Sequence, residues 1–343
     1  MTHLPFARAR WLAGAAALAV SLQVAAQDKP VEMRFAHWVP AAHPLAKLGY
    51  DVWAKSLEAA SNGTIKVTVY PAQQLGKAAD HYDMARDGIA DMTWVNPGYQ
   101  AGRFPMFAAG ELPMLMSAPG GGSAALDAWY RPYVGKEMKD VKFCFAHLHI
   151  GALHSKKPIT EPAQLKGMKV RPANGTVAQM VSLLGGTSVQ VSAPEARDAL
   201  EKGVADAITF PWQSVISFGI DKVAKFHTDI RLYQANFVWV INPAWYGKLS
   251  AAQKKAVDDH CTNEWAGRIG AAWGDDEDAG EGKLEKMGGH TIIKLDAAQT
   301  AAWRTATEPL YGQWVESANK AGYDGKAALE ALRGELKKRN ALY

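Results

Sequence analysis

Up to residue 241, stretches whose apolar residues repeat every second position alternate with stretches of helical period. Residues 65–70 place apolar side chains at every second position, which is typical of a half-buried strand. Residues 45–59 place them at helical spacing and are followed by Asn62-Gly63, which indicates the end of an amphipathic helix. By these criteria we predict strands at residues 31–36, 65–70, 90–95, 141–150, 168–170, 187–191, 205–210, 230–241 and 291–294.

Strands and helices alternate in two successive series, which predicts an α/β fold with a mostly parallel sheet in each of two lobes. The apolar strand at 230–241 is long enough to cross between the lobes. From residue 250 onward the pattern is mainly helical, and we expect residues 250–286 to form one long helix because they contain few breakers. The acidic run 275–278 lacks the spacing and glycine of a calcium loop, so we interpret it as a solvated face. Three glycines occupy residues 120–122. They are not followed by the lysine that a phosphate-binding loop requires, so we predict a flexible turn.

The N-terminus of the 343-residue chain has the pattern of a secretory leader. Arg8 and Arg10 precede an apolar run at 11–20, and small residues end it at 24–26, so we predict a signal peptide over residues 1–26 and export to the periplasm. This leader carries two positive charges and no negative ones, so the net charge falls from +4 to +2 on cleavage. A charge this small argues against a nucleic-acid partner. No later stretch reaches the roughly 18 apolar residues that a membrane span needs.

The chain has two cysteines, Cys144 on an apolar strand and Cys261 in a helical region. Export permits a disulfide. The two residues are far apart in sequence, and free cysteine is a common small core residue. We therefore expect two buried free thiols, and the sequence alone does not show whether they meet.

One arginine lies where open α/β sheets bind ligands. A turn ends at Gly167, the predicted strand 168–170 follows, and Arg171 stands at its carboxyl end, beside the crevice in which such sheets hold small molecules. Pro172 cannot continue the ladder of hydrogen bonds, and Asn174 is suited to cap the next helix. A guanidinium offers a planar pair of donors that matches a carboxylate. The alternative interpretation is that Arg171 forms a surface salt bridge, which would be favoured for a single arginine considered without its surroundings.

With these segments placed, the chain resembles the solute-binding subunit of a tripartite ATP-independent periplasmic (TRAP) transporter, of the DctP type. The resemblance covers essentially the whole mature chain, and the order and spacing of its motifs carry it. Its most specific motif is Leu165-Lys166-Gly167-Met168-Lys169-Val170-Arg171. The others are Phe35 with the loop to His43-Pro44, Tyr70-Pro71 with Gln74-Leu75-Gly76, Asp87-Gly88 with Asp91, Ser155-Lys156-Lys157-Pro158-Ile159, Leu184-Gly185, Ala193-Pro194-Glu195 and Gly203-Val204-Ala205-Asp206.

The resemblance implies a two-lobed periplasmic binding protein fold with a ligand cleft between the lobes, crossing strands and a long C-terminal helix. We expect lobe I at residues 27–148, lobe II at 149–234, and a crossover strand with a helical region at 235–343. It further implies a small organic acid as ligand, hinge closure around it, delivery to the membrane permease of the transporter, no cofactor, and a monomer. By position in the motifs, the ligand-binding residues are Arg171 for the carboxylate, with Asn174, Asn96 and Trp38 beside it.

The chain departs from the family pattern at two places. Many relatives carry a second arginine just before the Ser-Lys-Lys-Pro motif, where this chain has Gly151, with His149 nearby as a polar side chain. Sialic-acid-binding relatives have Glu-Asn-Pro after the Asp206 motif, whereas this chain has Thr209-Phe210-Pro211-Trp212. The cleft has therefore lost polar donors and gained aromatic rings. A small or apolar carboxylate is expected in place of a sugar acid.

Among the tryptophans, we expect Trp38 and Trp212, with Phe210, to line the ligand pocket, because each follows a strand end. Trp94 and Trp239 are expected to pack in the core. His147, His149 and His154 lie on one predicted strand and raise the question of a metal. No carboxylate or cysteine stands at ligand spacing beside them, so we interpret them as structural histidines, or as a ligand contact in the case of His149.

Two other classes of function remain as alternatives. An enzyme is disfavoured, because the chain contains no Gly-x-Ser-x-Gly elbow and no His-Glu-x-x-His motif. Fold alone does not exclude a periplasmic hydrolase or lyase. A protein that presents its ligand to a sensor kinase would use the same cleft, and only its docking surface would distinguish it from a transport protein.

Overall fold

The computed structural model describes residues 1–2 and 28–343. The segment predicted as a cleavable leader, residues 1–26, falls outside the described residues except for residues 1–2, so it stays a prediction. The strands are β1 Val31–Ala36, β2 Ile65–Tyr70, β3 Met92–Val95, β4 Lys142–Ser155, β5 Lys169–Arg171, β6 Thr187–Ser188, β7 Ala207–Phe210, β8 Phe226–Ile241 and β9 Thr291–Lys294.

Helices surround these strands. The α-helices are α1 Asp51–Ala60, α2 His81–Arg86, α3 Pro119–Tyr130, α4 Val134–Glu137, α5 Gly175–Leu183, α6 Ala196–Glu201, α7 Trp212–Ser217, α8 Pro243–Gly247, α9 Ala251–Asp259, α10 Asn263–Met287, α11 Ala297–Thr307, α12 Pro309–Lys320 and α13 Gly325–Lys338. A π-helical turn, Ala46–Tyr50, precedes α1, and short 3₁₀ turns occur at Ala78–Asp80, Pro97–Tyr99, Phe107–Glu111, Arg131–Tyr133, Pro162–Leu165, Ala193–Glu195 and Ile220–Lys222.

Within the described residues, the strands form one nine-stranded sheet in the order β2-β1-β3-β8-β4-β7-β5-β6, with β9 also paired to β8. At one end β1 is parallel to β2 and β3, and at the other β5 is parallel to β6 and β7. The predicted parallel halves are therefore present. They are joined through antiparallel pairs that involve β4 and β8.

The two central strands run through both halves of the sheet. β4 pairs with β7 through its last residues and with β8 along most of its length, and the carboxyl-terminal end of β8 pairs with β3. The sequence predicted a crossing strand only at 230–241, and β4 is a second one. The predicted lobe boundaries, after residues 148 and 234, both fall within these crossing strands and stay predictions.

The long helix α10 packs on both halves, against α3 on one side and α7 on the other. Two of its glycines permit this close approach. A Cβ atom at Gly274 would lie 2.4 Å from the Pro119 side chain, and one at Gly280 would lie 2.2 Å from the Gln213 backbone nitrogen. Because backbone atoms cannot yield as side chains do, Gly280 fixes how closely α10 approaches α7.

Two helix predictions were wrong. Residues 250–286 form two helices, α9 and α10, and not a single helix. Residues 260–262 are not helical, and Thr262 caps α10 by accepting a hydrogen bond from the Trp265 N–H. The three glycines 120–122 lie inside α3 and not in a turn. They follow Pro119, which suits a first helical turn, and a side chain at Gly120 would approach Ala271 of α10 to 2.9 Å.

The expectation of two free thiols was also wrong. Cys144 on β4 and Cys261 in the break between α9 and α10 form a disulfide, with Cα atoms 4.2 Å apart and a sequence separation of 117. The two cysteines are separated along the chain, but the packing of the helical region on β4 brings them together. The pairing depends on the tertiary structure and could not be inferred from local pattern.

Two features are absent from residues 1–2 and 28–343. No helix among them is both long and apolar enough to cross a membrane. No group of three or more histidine, cysteine, aspartate or glutamate side chains in residues 1–2 and 28–343 is arranged to hold a metal ion.

Candidate ligand-binding site

A small cavity lies over the central strands and is lined by Arg171; we call it the Arg171 cavity. Its volume is about 30 Å³. Its walls come from the loop after β1, the ends of β3, β5 and β7, the middle of β4 and β8, and helices α7 and α10. The lining side chains that bear on recognition are Trp38, His43, Trp94, Asn96, Tyr99, His149, Arg171, Phe210, Ser214, Phe218, Tyr233, Phe237 and Trp273. A space of this size admits about one water molecule, so a ring-bearing ligand requires the walls to separate.

Arg171 is the only one of the lining side chains with a permanent charge, and only 1% of the residue is exposed. Its Nε donates to the Val191 carbonyl at 2.9 Å, Nη1 to the Thr209 carbonyl at 3.2 Å, and Nη2 to the Tyr99 hydroxyl at 3.3 Å. Its Cζ lies 5.4 Å from the centre of the Phe210 ring. Among residues 28–343 no carboxylate forms an ion pair with it. A buried charge without a counter-charge is costly, so the site is complementary to an anion.

Local sequence explains why Arg171 lies there. β5 is only three residues long and is paired on both sides, with β6 and β7. Pro172 ends it, and the next residue, Ala173, donates its backbone N–H to the Thr209 hydroxyl at 2.9 Å. Asn174 then caps α5 by accepting from the Val177 N–H at 2.9 Å. The strand end and the helix start therefore hold the arginine from both sides.

Aromatic rings form one wall of the cavity. The indole of Trp38 stacks on Trp94 with ring centres 4.3 Å apart, and Trp94 stacks on Phe237 at 4.4 Å. The Trp94 indole N–H donates to His147 Nε2 at 2.8 Å, which holds that ring in place. The Trp38 indole N–H has no partner among the described residues. This wall is therefore flat, rigid and apolar, with one free donor.

Tyr233 occupies the space that a side chain at Gly151 would fill. A Cβ atom built on Gly151 would lie 2.3 Å from the Tyr233 hydroxyl oxygen. That hydroxyl is buried without a hydrogen-bond partner in the described part of the chain. Burial raises the pKa of the Tyr233 phenol well above its ordinary value, so it stays protonated and is a donor. Many relatives have a second arginine at the position of Gly151. Here the absence of a side chain at this position leaves space for the phenol of Tyr233 on the facing strand.

A chain of hydrogen bonds links the loop after β1 to α7 and α10. The Leu45 N–H donates to His43 Nδ1 at 3.2 Å, so Nε2 carries the ring proton and donates to the Ser214 hydroxyl at 2.9 Å. Ser214 in turn donates two hydrogen bonds to the Glu277 carboxyl, one from its hydroxyl at 2.5 Å and one from its N–H at 2.9 Å. The Trp273 indole N–H donates to the same carboxyl at 2.7 Å. Burial raises the pKa of Glu277 to about 7. This chain fixes Ser214 and Trp273 as parts of the cavity wall.

His149 is buried on β4 with its ring edge against Trp273, the ring centres being 4.6 Å apart. Burial lowers the pKa of His149 to about 3, so the ring is neutral at physiological pH. Its Nδ1 has no hydrogen-bond partner among residues 28–343. His149 thus contributes a neutral polar edge and not a second positive charge.

Five of the seven predicted site residues line the Arg171 cavity: Trp38, Asn96, His149, Arg171 and Phe210. The other two do not. Asn174 caps α5 with its oxygen and donates its amide to the Gln234 carbonyl at 2.9 Å, so its polar groups are engaged with the backbone. Trp212 lies on the opposite face of α7, with its ring edge against His154.

The sequence analysis missed several lining residues. Tyr233 and Phe237 belong to the set that β8 places on one face at every second position, together with Ala235. This alternation gives no signal in the sequence because β8 is apolar on both faces. Trp94 was expected in the core, and it does pack there with no exposed surface, but it also borders the cavity. Trp273 comes from α10, far along the chain, so only the folded structure shows it.

Residues 35–318 match the family described as bacterial extracellular solute-binding protein, family 7. The chain therefore belongs to this family, whose members are solute-binding proteins. The resemblance inferred from the sequence motifs is confirmed, and so is the two-lobed α/β fold.

Several solved structures of TRAP solute-binding proteins are similar to this chain. One from Rhodoferax ferrireducens, in complex with copurified benzoate, is 30% identical, with 90% of this chain and 98% of that chain covered and a TM-score of 0.87. One from a marine metagenome, specific for aromatic acid ligands and bound to 3-hydroxybenzoate, is 32% identical, with 91% and 99% covered and a TM-score of 0.86. One from Bordetella bronchiseptica, with bound (R)- and (S)-mandelate, is 28% identical, with 90% and 99% covered and a TM-score of 0.84.

Proposed function

We propose that this protein is the periplasmic solute-binding subunit of a TRAP transporter and that its ligand is a small aromatic carboxylate. The observation that carries the proposal is the buried guanidinium of Arg171, which has no carboxylate partner in residues 28–343 and faces a cavity walled by aromatic rings. Two of the similar structures hold benzoate and 3-hydroxybenzoate, which combine these two chemical features.

The carboxylate is assigned to the Arg171 side of the cavity. Nη1 and Nη2 already donate to Thr209 and Tyr99 at 3.2 and 3.3 Å, which are long bonds, and they retain further N–H groups for an incoming anion. The Tyr233 hydroxyl, a buried donor without a partner in the described residues, is assigned to the same carboxylate. Tyr233 thereby takes over part of the role that a second arginine has in many relatives.

The ring of the ligand is assigned to the aromatic wall. Phe210, Phe237 and the stacked indoles of Trp38 and Trp94 offer flat apolar surface, and offset or edge-to-face ring pairs are favourable at such distances. A polyhydroxylated acid would bury hydroxyl groups against these rings without partners, which is costly. We therefore expect sugar acids to bind much more weakly than benzoates.

Hinge closure is inferred from the same geometry, and delivery to a permease from membership of the family. The Asn96 amide donates to the Ala173 carbonyl at 3.3 Å, and the Ala193 N–H donates to the Tyr99 hydroxyl at 3.0 Å, so the two sides of the cavity are in contact. A ligand must enter from a more open form and stabilise a form that is closed around it, which a permease can then recognise. We infer a monomer without catalytic activity. A protein that presents ligand to a sensor is the alternative, and it is distinguished by whether uptake through the matching permease requires this protein.

Calorimetric titration of benzoate into wild-type protein and two variants tests the assignment of Arg171. Removing one partner of a buried charge pair costs roughly 2–5 kcal/mol, which is roughly a thirty-fold to several-thousand-fold loss of affinity in Arg171→Met. Arg171→Lys keeps the charge but lacks the planar pair of donors, so it should lose less. Arg333→Met, at a partly exposed position on α13 outside the cavity lining, is the matched control. Wild-type affinity in a folded Arg171→Met protein contradicts the assignment, and tight glucuronate binding with no benzoate binding contradicts the aromatic ligand.

A further inference from the structure

A second cavity lies on the other side of the Pro97–Tyr99 turn from Arg171, between the Phe107–Glu111 turn, the start of α5 and helix α12. We call it the Glu111 cavity. Its volume is about 180 Å³, compared with about 30 Å³ for the Arg171 cavity, and the two have no lining residue in common. At its mouth are the exposed side chains of α5 and α12, including Gln179 and Gln313. A small molecule can therefore reach it from solvent without passing the Arg171 cavity.

Glu111 is the only charged side chain in the lining, and the residue is 2% exposed. Its Oε2 accepts from the Thr176 hydroxyl at 2.8 Å and from the Thr176 N–H at 3.4 Å. Its Oε1 has no hydrogen-bond donor among residues 28–343 and lies against Gly98, where a Cβ atom would come within 2.5 Å of it. The glycine thus leaves one carboxylate oxygen open toward the cavity.

The charge of the lining selects the charge of an occupant. The lining contains no lysine, arginine or histidine, so an anion would face Glu111 without compensation. Burial raises the pKa of the Glu111 carboxyl to about 7, and a cation nearby would restore its negative charge. One carboxylate without further charged ligands does not make a site for a metal ion, and none is found among the described residues.

The rest of the lining is aromatic and apolar. Phe104, Phe107 and Trp314 are buried side chains that border the cavity, and Leu310 lies beside Trp314. The Trp314 indole N–H donates to the Pro105 carbonyl at 2.8 Å, which fixes its ring. Aromatic rings together with a carboxylate are the groups that bind organic ammonium ions, through cation–π attraction and a charge-assisted hydrogen bond. We propose that the Glu111 cavity is a second binding site, for a small primary ammonium ion with a short apolar chain.

This site spans elements that the two-lobed arrangement brings together. Glu111 precedes β4 in the chain, whereas its partner Thr176 lies in the first turn of α5, the helix that follows Arg171. An ammonium ion on Glu111 would contact both sides and would be compatible with occupation of the Arg171 cavity. The proposal does not depend on the identity of the acid, because the two cavities share no lining residue.

The test is a calorimetric titration of n-butylammonium chloride into the full-length mature protein at constant ionic strength, with 1-butanol and sodium butyrate as probes of matched size. We expect saturable binding of butylammonium and none of comparable strength for the other two. Glu111→Gln should weaken it about tenfold to about a hundredfold, the range expected for loss of a hydrogen bond to a charged group. Glu316→Gln, an exposed residue of α12 outside the lining, removes the same charge and should leave binding unchanged.

A second variant tests the same site independently, in case Glu111→Gln does not fold. Ser317 is an exposed residue at the mouth, and Ser317→Phe should fill the entrance without touching Glu111. Butylammonium binding should fall in this variant, while benzoate binding stays at the wild-type value. No saturable butylammonium binding by the wild type, or equal binding by wild type, Glu111→Gln and Ser317→Phe, would overturn the proposal.

Discussion

Several polar groups around the Arg171 cavity lack hydrogen-bond partners among residues 28–343. They include the Trp38 indole, His149 Nδ1 and the Tyr233 hydroxyl, all of them buried. Native proteins satisfy nearly all buried polar groups, so an unsatisfied cluster indicates that something else supplies partners. Together with Arg171, these groups surround one small space, and a carboxylate with an attached ring can satisfy several of them at once. The three unsatisfied groups that line this cavity are therefore local evidence for a ligand site.

Gly151→Ala tests whether Tyr233 takes part in recognition. The added methyl group would lie 2.3 Å from the Tyr233 hydroxyl oxygen, so the phenol must move out of its present place. We expect benzoate affinity to fall by about tenfold, corresponding to the loss of about one hydrogen bond to a charged group. Gly282→Ala on α10, where nothing lies within 4 Å of the new Cβ, is the control. Equal affinity in both variants, measured by calorimetry, would show that Tyr233 does not contact the ligand.

At the residue level, the sequence correctly predicted those cavity-lining residues that lie at the ends of strands. Arg171 and Phe210 end β5 and β7 and line the cavity. Trp212 comes two residues after Phe210, but Pro211 is the N-cap of α7 and Trp212 is its first residue, so the alternation of a strand no longer applies. Ser214 in α7 and Phe218 at its C-cap line the cavity together with Pro211, at helical spacing. The position of Trp212 could not be inferred without knowing where the strand ends.

At the level of elements, α10 and the segment before it join the two halves of the sheet. α10 packs on α3 and α7, and Glu277 in it accepts hydrogen bonds from Ser214 of α7. The disulfide between Cys144 and Cys261 fixes the start of this helix to β4. The helical character of residues 250–286 was evident from sequence, whereas the break that allows the disulfide was not, because Thr262 is a cap only in its folded context.

Replacing both cysteines by alanine should lower stability. Because the cross-link spans 117 positions, it removes many conformations from the unfolded chain. We expect the free energy of unfolding to fall by about 2–5 kcal/mol in Cys144→Ala/Cys261→Ala, measured by urea denaturation without reductant. Wild-type protein kept reduced with a thiol reagent should approach the same value, which separates loss of the cross-link from loss of side-chain volume. An unchanged denaturation midpoint in both samples would contradict a stabilising disulfide.

At the level of the whole molecule, the pattern of strands and helices predicted the two-lobed fold, because each half repeats an alternation with a clear period. The connection of the halves was predicted less completely, since β4 looked like a shorter strand ending at residue 150 and extends to Ser155. The fold of the described residues also buries many polar side chains. Seven histidines are buried in the described chain and have lowered pKa values: His37, His43, His81, His147, His149, His154 and His227.

These histidines predict that the protein loses stability in mild acid. Burial lowers their pKa values from 6.5 to between about 2 and about 4, so below pH 6.5 the unfolded chain binds protons that the folded chain does not. Their stabilising contribution is complete above pH 6.5 and is lost as the pH falls toward the folded-state values. Glu111 and Glu277 act in the opposite direction, because burial raises their pKa values from 4.5 to about 7 and their contribution is lost as the pH rises through that range.

Between pH 4.5 and pH 6.5 the two effects oppose each other, and the seven histidines outweigh the four carboxyl groups whose pKa values are raised by burial, Glu111, Glu137, Glu277 and Asp278. We therefore expect the free energy of unfolding, from urea denaturation followed by tryptophan fluorescence, to fall steadily as the pH is lowered from 6.5 to 4.5. Samples with and without saturating benzoate separate changes in the fold from changes in the ligand site. A free energy that stayed constant or rose over this interval would mean that the buried carboxyl groups dominate, and that the histidines are less completely shielded from water than their burial indicates.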